Sequence, residues 1–338
     1  MRKTLANLLT NLLTNLRRML SPLHLCHRLA AVPKHFSRNR QSMVWGSIGL
    51  SLLCLLGVSV FAQIGGWPGS GRGQGYGRGG YGGGFGGRGF RGNDRFYDRS
   101  QHVTWEINED HREDVFTFAR VEFDSNGPFG WWDRWNNDFP DADINFSLRM
   151  QQLTTFQVNP DPAVVRLTEP ELFDYPFLYF AGVQYMSLST AEQEAFRRYL
   201  ENGGFFMMDD LWGLTSRDNV LAQMKQVLPW ADPVELSIEH PVFHAVYDMK
   251  KLPQVTDYLT WSNGYTYEVS HEGKAGDGKP HFLAYFDQNR RMVGIVCHNN
   301  DIGDGWEREG EHPEFFRLFS VKHSYPFGIN IISYAMSN

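Results

Sequence analysis

The sequence predicts an α/β fold with a mostly parallel central sheet. From about residue 101 onward, segments of helical periodicity alternate with short apolar segments, and such alternation is typical of β-α units whose strands run parallel. Several apolar segments are continuous rather than alternating, which indicates strands covered on both faces. The predicted strands are 115–123, 163–167, 177–182 and 205–208, and the predicted helices are 141–153, 189–202, 216–228 and 327–336.

Local signals support the individual helices. In the first helix, the spacing of Ile144, Leu148 and Leu153 predicts one face directed toward the core. The third helix is expected to begin at a side-chain cap, for which Ser216 and Asp218 are the two candidates. These signals predict where the helices lie in the sequence, but not which residues they pack against.

The unit from Ser189 to Gly213 carries the sharpest indication of a functional site. Ser189 and Glu192 have the spacing of a capping box, and two consecutive glycines end the helix that they begin. An apolar run follows, with Asp209 and Asp210 directly after it. Ligands of open α/β sheets bind beyond the carboxyl ends of the strands, so these aspartates are candidate acid/base residues. The structural alternative is that each caps the next helix or binds loop amides.

A second polar segment follows a predicted β-hairpin, which consists of residues 281–286 and 291–297 and makes the sheet mixed. Its Asn, Asp and Glu side chains offer oxygen ligands to a hard divalent cation, although their spacing differs from that of an EF-hand. The alternative is a turn whose side chains bind their own backbone. The candidate ligand-binding residues here are Asn299, Asn300, Asp301, Asp304, Trp306 and Glu307, and the metal candidates are Asp210, Asp301 and Asp304.

Three tryptophans and one glycine complete the candidate ligand-binding residues. Trp131 and Trp132 follow the first predicted strand, and Trp212 follows the two aspartates. Aromatic clusters can form ligand platforms, although they more often seal a loop over the core. Gly182 begins the loop after the third predicted strand. If the strands that end at 180, 208 and 297 are parallel, their following loops meet at one edge of the sheet.

Composition divides the chain into four parts. Residues 1–42 form a basic extension with eight Lys or Arg and no acid, which leaves a net charge of −14 on the remainder and disfavours nucleic acid as a partner. Residues 43–63 contain twenty consecutive uncharged residues, enough for a signal peptide or a transmembrane segment. Residues 64–100 form a Gly/Arg-rich linker that is expected to be disordered, and 101–338 form the α/β domain.

The charges around the apolar segment predict an exported domain. The eight Lys or Arg residues of 1–42 precede this segment with no acidic residue among them, so the α/β domain is expected outside the cytoplasm. It is periplasmic if the segment is a cleaved signal, or anchored in the inner membrane if the segment is retained. The expected partners are accordingly the membrane, a cell-envelope protein or a glycan. Cys297 is the one cysteine of this domain, which excludes an intrachain disulfide within it.

The order of these segments resembles the bacterial family named domain of unknown function 4159. The motifs that carry the resemblance are LFDYPFLYFAG, YLENGGFFMMDDLWG, CHNNDIGDGWE and GINIISYAM, and it extends from about Val115 to the C-terminus. The resemblance implies a flavodoxin-like three-layer sandwich similar to that of class I glutamine amidotransferases, in an exported or membrane-anchored protein. It implies no reaction.

The implied fold also permits a negative inference. Class I amidotransferases use a Cys-His-Glu triad whose cysteine lies on a tight turn after a strand. Here that position holds Asp209 and Asp210, and Cys297 lacks the G-x-C-x-G setting. A non-catalytic domain that binds a ligand or a protein is therefore favoured. The alternative is an extracytoplasmic hydrolase of glycan or peptide that uses Asp209 or Asp210 as acid/base, with a divalent cation or a polar substrate held by the Asn299–Glu307 segment. No other cofactor is implied.

Export can be tested with a topology reporter fused after residue 338. We expect activity from a reporter that functions only outside the cytoplasm, because eight Lys or Arg residues and no acidic residue precede the apolar segment. The same fusion to a reporter that functions only in the cytoplasm serves as the control and should be inactive. Activity of the cytoplasmic reporter would contradict export and reopen nucleic acid as a partner of the Gly/Arg-rich linker.

Overall fold

The computed structural model describes residues 102–108, 110, 114–127, 135–268, 276–310 and 312–337. The N-terminal extension, the apolar segment and the Gly/Arg-rich linker lie outside these residues, as do Trp131 and Trp132. None of the helices within the described ranges combines the length and the apolar character needed to cross a membrane.

A seven-stranded sheet forms the centre of the domain. Its strands are β1 Ala119–Glu122, β3 Ala163–Arg166, β4 Phe177–Phe180, β6 Phe205–Leu211, β7 Val234–Glu235, β8 His281–Phe286 and β9 Met292–His298. Their order across the sheet is β3-β1-β4-β6-β9-β8-β7. The first five strands in this order are parallel, and β8 and β7 are antiparallel additions. The parallel part is compatible with a flavodoxin-like layout, and the predicted hairpin is confirmed as β8 and β9. Two further short strands, β2 Asp124–Ser125 and β5 Met186–Ser187, form a separate antiparallel pair.

Helices cover both faces of this sheet. The continuous apolar run of β6 supplies both cores, because Phe205 and Met207 belong to one apolar cluster and Phe206 and Met208 to the other. The helices are α1 Asp141–Leu153, α2 Thr190–Glu201, α3 Leu214–Val227, α4 Tyr258–Ser262, α5 Asp304–Glu307, α6 Pro313–Phe315, a π-helix at Phe316–Ser324, and α7 Tyr325–Ala335. The first cluster includes residues of α1 and α7, and the second includes residues of α2 and α3.

The predicted capping box at the start of α2 is present. The Ser189 hydroxyl accepts a hydrogen bond from the Glu192 amide at 3.4 Å, and the Glu192 carboxylate accepts one from the Ser189 amide at 2.8 Å. Gly203 ends the helix with φ of 104°, a conformation that favours glycine. Gly204 has a different role, since a Cβ there would lie 2.2 Å from the ring of Tyr199.

Several predicted boundaries are wrong. Strand β6 continues to Leu211, so the two aspartates lie inside the strand rather than after it. Helix α3 begins at Leu214 without a side-chain cap, so neither Ser216 nor Asp218 caps it. Leu153, predicted to face the core, is 49% exposed because α1 ends there.

Ser189→Ala should lower the free energy of unfolding by about 1 kcal/mol, because it removes one of the two capping-box hydrogen bonds. Thr190→Ala is the matched control, since Thr190 is the adjacent exposed residue in the first turn. Urea denaturation of both variants measures the difference. Equal midpoints for the two variants would contradict a stabilising cap.

Candidate functional site

A β-bulge in β6 determines where the two aspartates lie. Between the pairs Met208–Val296 and Leu211–His298, β6 advances three residues while β9 advances two. Asp210 therefore takes a left-handed conformation with φ of 50°. Asp209 is completely buried, and Asp210 is 7% exposed. Both aspartates thus lie in the last three residues of β6, at the carboxyl end of the strand.

The Asp209 carboxyl is only partly hydrogen-bonded. Its Oδ2 accepts from the Tyr179 hydroxyl at 3.1 Å and from the Gly303 amide at 2.9 Å. Its Oδ1 is buried and has no hydrogen-bond partner among the described residues. Burial raises the pKa of Asp209 to about 7, although these two hydrogen bonds oppose the change.

The loop between β2 and α1 brings a third aspartate to the same place. Asn137 donates to Asp210 Oδ2 at 2.8 Å, and the adjacent Asp138 has a left-handed φ of 60°. Asp138 Oδ2 is buried and has no hydrogen-bond partner in the described part of the chain. Burial, followed by the charge of Asp138, raises the pKa of Asp210 to about 8.

The turn after β9 supplies two further aspartates. Asp301 Oδ1 accepts from the Asp304 amide at 2.9 Å, which holds the first turn of α5. Asp304 Oδ2 accepts from the Tyr258 amide at 3.1 Å. Burial is the largest cause of the raised pKa of both groups, and the pKa of Asp304 reaches about 7.

Three carboxylates of this region have the spacing of metal ligands. Asp138, Asp304 and Glu307 each offer one oxygen, and these oxygens all lie within 4.8 Å of one another. The guanidinium of Arg308 lies at the same place, with its Nε 2.7 Å from Glu307 Oε2 and 3.3 Å from Asp304 Oδ1. The three oxygens are close enough to share one cation.

Glu268 extends the acidic region toward α4. Its carboxylate accepts from the Asp257 amide at 2.9 Å, and Asp257 in turn caps α4. Burial raises the pKa of Glu268 well above its usual range, and the charges of Asp257 and Asp210 add to this effect. The group of acids at this edge is named the acidic edge below, and it comprises Asp138, Asp209, Asp210, Asp257, Glu268, Asp301, Asp304 and Glu307.

Arg120 positions the loop that carries Asp138. Its Nε donates to Asp143 Oδ2 at 2.8 Å, and both side chains are fully buried. Its Nη1 donates to the carbonyls of Trp135 at 2.9 Å and Asn137 at 2.7 Å. The loop backbone is thus tied to β1 through one side chain.

Asn299 and Asn300, predicted as ligand-binding residues, instead hold neighbouring loops. Asn299 accepts from the Gly213 amide at 3.2 Å and donates to the Lys279 carbonyl at 2.9 Å. Asn300 accepts from the Val255 amide at 2.9 Å and donates to a carbonyl at 3.0 Å. Because the side-chain amides of both residues form hydrogen bonds with backbone groups of other loops, these side chains align the loops of the acidic edge.

The remaining candidates among the described residues, two tryptophans and a glycine, are buried or lie in a turn. Trp306 is a core residue, 1% exposed, with its ring 4.5 Å from that of Phe146. Trp212 is 3% exposed, so its ring offers little surface to a ligand. Gly182 has φ of 61° and begins a short 3₁₀ turn after β4. Of the predicted candidates, Asp209, Asp210, Asp301, Asp304 and Glu307 do come together.

Five residues of this site were not predicted from the sequence: Arg120, Asn137, Asp138, Asp257 and Glu268. For Arg120, the available signal was a charge inside an apolar strand, which requires a buried partner. For Asn137 and Asp138, it was their position in the loop after the first strand of the sheet. The sequence around Glu268 contains no pattern that would indicate a site residue.

Cys297 lies one position before the end of β9 and is fully buried. Burial raises the pKa of its thiol well above the usual range, so the sulfur is protonated at neutral pH. The adjacent His298 has Nε2 3.0 Å from the Gly213 carbonyl, and burial lowers its pKa to about 4. Neither group is prepared for nucleophilic attack in this state.

Comparison with known proteins identifies one family. The family model described as "Domain of unknown function (DUF4159)" matches residues 117–336, which is more than half of the chain. No curated protein is similar enough to the chain to be counted as a relative. The matched region contains every member of the acidic edge.

Metal-free protein is expected to lose stability as the pH rises from 5.5 to 8.5. The folded-state pKa values of Asp209, Asp210 and Asp304 are about 7, 8 and 7, whereas an unfolded Asp titrates near ~3.9. Between these values the folded state holds protons that the unfolded state has released, so the free energy of unfolding falls with rising pH. For Asp210 alone the change between pH 7 and 8.5 is on the order of 1 kcal/mol.

Urea denaturation in EDTA at several pH values measures this profile. Asp210→Asn should flatten it, whereas Asp232→Asn should not, because that side chain is 85% exposed. A free energy of unfolding that increases with pH in this range would show that the carboxyls are ionised and well compensated.

Proposed function

The chain belongs to the DUF4159 family, and we propose that its α/β domain is a non-catalytic binding domain that holds a positively charged ligand at the acidic edge. The observation that carries the proposal is a set of buried carboxyl groups whose ionisation is not fully compensated by the described residues. Two buried carboxylate oxygens, Asp209 Oδ1 and Asp138 Oδ2, have no hydrogen-bond donor within the described ranges. A buried charge without a partner is costly, and a cationic ligand removes that cost.

The charges that face the acidic edge support this proposal. Arg120 is engaged by Asp143, and Arg308 is shared between Asp304 and Glu307. Both guanidinium groups lower the pKa of Asp138, yet burial still leaves that pKa above its usual value. These two cations therefore only partly compensate the carboxyl groups, and a positively charged ligand would complete the balance.

Binding is favoured over acyl transfer because of the state of Cys297. Its buried, protonated thiol and the low pKa of the neighbouring His298 do not suit the Cys-His chemistry of class I amidotransferases. The metal-assisted hydrolase expected as the alternative stays a prediction. Asp210, with a pKa raised to about 8, is the carboxyl suited to proton transfer near neutral pH in that case.

We further propose an amidotransferase-like three-layer sandwich and an extracytoplasmic location for this domain. The parallel strand order and the helices on both faces of the sheet support the first. The charge distribution around residues 43–63 supports the second. A cell-envelope protein that presents basic side chains would then be one ligand of suitable charge.

Thermal unfolding of the full-length protein in detergent tests the binding of cations. MgCl₂, CaCl₂ and spermidine are each compared with NaCl at equal ionic strength. We expect at least one of them to raise the Tm by several degrees, since a ligand that binds only the folded state stabilises it by mass action. Asp210→Asn should be more stable than wild type without ligand and should gain less from the ligand.

Asp232→Asn is the matched control, because it removes one exposed carboxylate that pairs with Lys225 in the last turn of α3, at the opposite end of that helix from Asp210. It should keep the full response to the cation. The proposal fails if none of the three cations exceeds the NaCl effect, or if the control variant loses as much of the response as Asp210→Asn.

A further inference from the structure

We propose that the ligand of the acidic edge is a hard divalent cation, Ca²⁺ or Mg²⁺, coordinated by Asp138, Asp304 and Glu307. This inference rests on the proposed function and narrows its ligand to one chemical class. The three side chains come from two separate parts of the chain, the loop before α1 and the helix α5 after β9. The fold is therefore needed to assemble the site.

The spacing of the three oxygens fits one ion. Each offers an oxygen within 4.8 Å of the other two. Two oxygens bound to the same Ca²⁺ at about 2.4 Å are at most about 4.8 Å apart, so all three can be ligands of a single ion after small side-chain adjustments. Carboxylate oxygens select hard cations over the softer metals that prefer thiolate or imidazole.

The orphaned oxygens provide a second, independent observation. Asp209 is completely buried, its Oδ2 is bound to the Gly303 amide, and its Oδ1 has no donor in the described part of the chain. Asp138 Oδ2 also has no donor among the described residues. It lies close to the same glycine, since a Cβ added to Gly303 would be 3.0 Å from it. Both carboxyl groups thus lie against one turn, and each has a buried oxygen without a donor among the described residues, which marks a place that accommodates positive charge.

The orientation of Asp304 prepares it as a ligand. Its Oδ2 is held by the Tyr258 amide at 3.1 Å, and its own amide is held by Asp301 at 2.9 Å. Oδ1 then faces the Arg308 guanidinium at 3.3 Å. Because one oxygen is fixed by backbone, the other has a defined direction and loses little entropy when it binds an ion.

Arg308 is in contact with two of the three proposed ligands. Its Nε contacts both Asp304 and Glu307, and its side chain is 33% exposed. A long, partly exposed side chain can move into solvent at low cost, so a divalent ion competes with the guanidinium for the two carboxylates. Removal of this competitor should strengthen ion binding.

Isothermal titration calorimetry tests the inference on full-length protein that has been treated with EDTA and dialysed in detergent. CaCl₂, MgCl₂ and spermidine are titrated separately. We expect one saturable site per chain for Ca²⁺ or Mg²⁺ and at least a 10-fold loss of affinity in Asp304→Asn and in Glu307→Gln. Arg308→Gln should bind the ion more tightly than wild type.

Glu314→Gln is the matched control, since Glu314 is 59% exposed and its nearest cation, Arg317, is 3.8 Å away. It should keep wild-type affinity. Circular dichroism monitors folding, and Glu307→Gln decides the result if Asp304→Asn does not fold, because Glu307 lies in the last turn of α5 and is only half-buried.

The outcomes separate this inference from the proposed function. Saturable binding of spermidine without binding of Ca²⁺ or Mg²⁺ would overturn the divalent site and leave a cation-binding domain. Loss of both responses would overturn both proposals. Weaker Ca²⁺ or Mg²⁺ binding in Arg308→Gln would show that the guanidinium supports the site rather than competes for it, and would also overturn the coordination proposed here.

Discussion

The buried guanidinium of Arg120 is the contact on which the geometry of the acidic edge depends. It pairs with Asp143 at 2.8 Å, holds the backbone before Asp138, and lies 5.0 Å from the ring centre of Tyr179, whose hydroxyl binds Asp209. One side chain thus connects β1, α1 and β4 to two of the acids. A buried ion pair adds little net stability, but the loss of either partner is strongly destabilising, so these elements depend on one another.

The acidic edge combines electrostatic cost with backbone strain. Asp138, Asp210 and Asn299 are non-glycine residues with positive φ, and all three lie in the segments that form it. Burial is the largest cause of the raised pKa values, and repulsion between carboxylates comes second. Strain and buried charge persist where the surrounding structure enforces them, which is typical of ligand-binding sites. A bound cation would relieve the electrostatic part of this cost.

The elements of the fold were largely predictable, whereas their exact ends were not. The capping box of α2, the apolar run of β6 and the β8–β9 hairpin were each recognised from side chains a few residues apart. The extension of β6 through Asp210 escaped prediction because it depends on a bulge against β9. In the same way, the polar residues Asn299 and Asn300 suggested ligand binding, but the loops that they hold come from distant parts of the chain.

By itself the sequence determined the α/β class, the mostly parallel sheet, the family and the presence of carboxylates at the strand ends. These follow from local periodicity, capping and turn chemistry, and from the rule that parallel strands open to one edge. Only the tertiary structure decided which acids meet. Asn137 reaches Asp210 across 73 residues, and Gly303 reaches Asp209 across 94. Such pairs are selected by the packing of the whole sheet, and no short-range pattern encodes them.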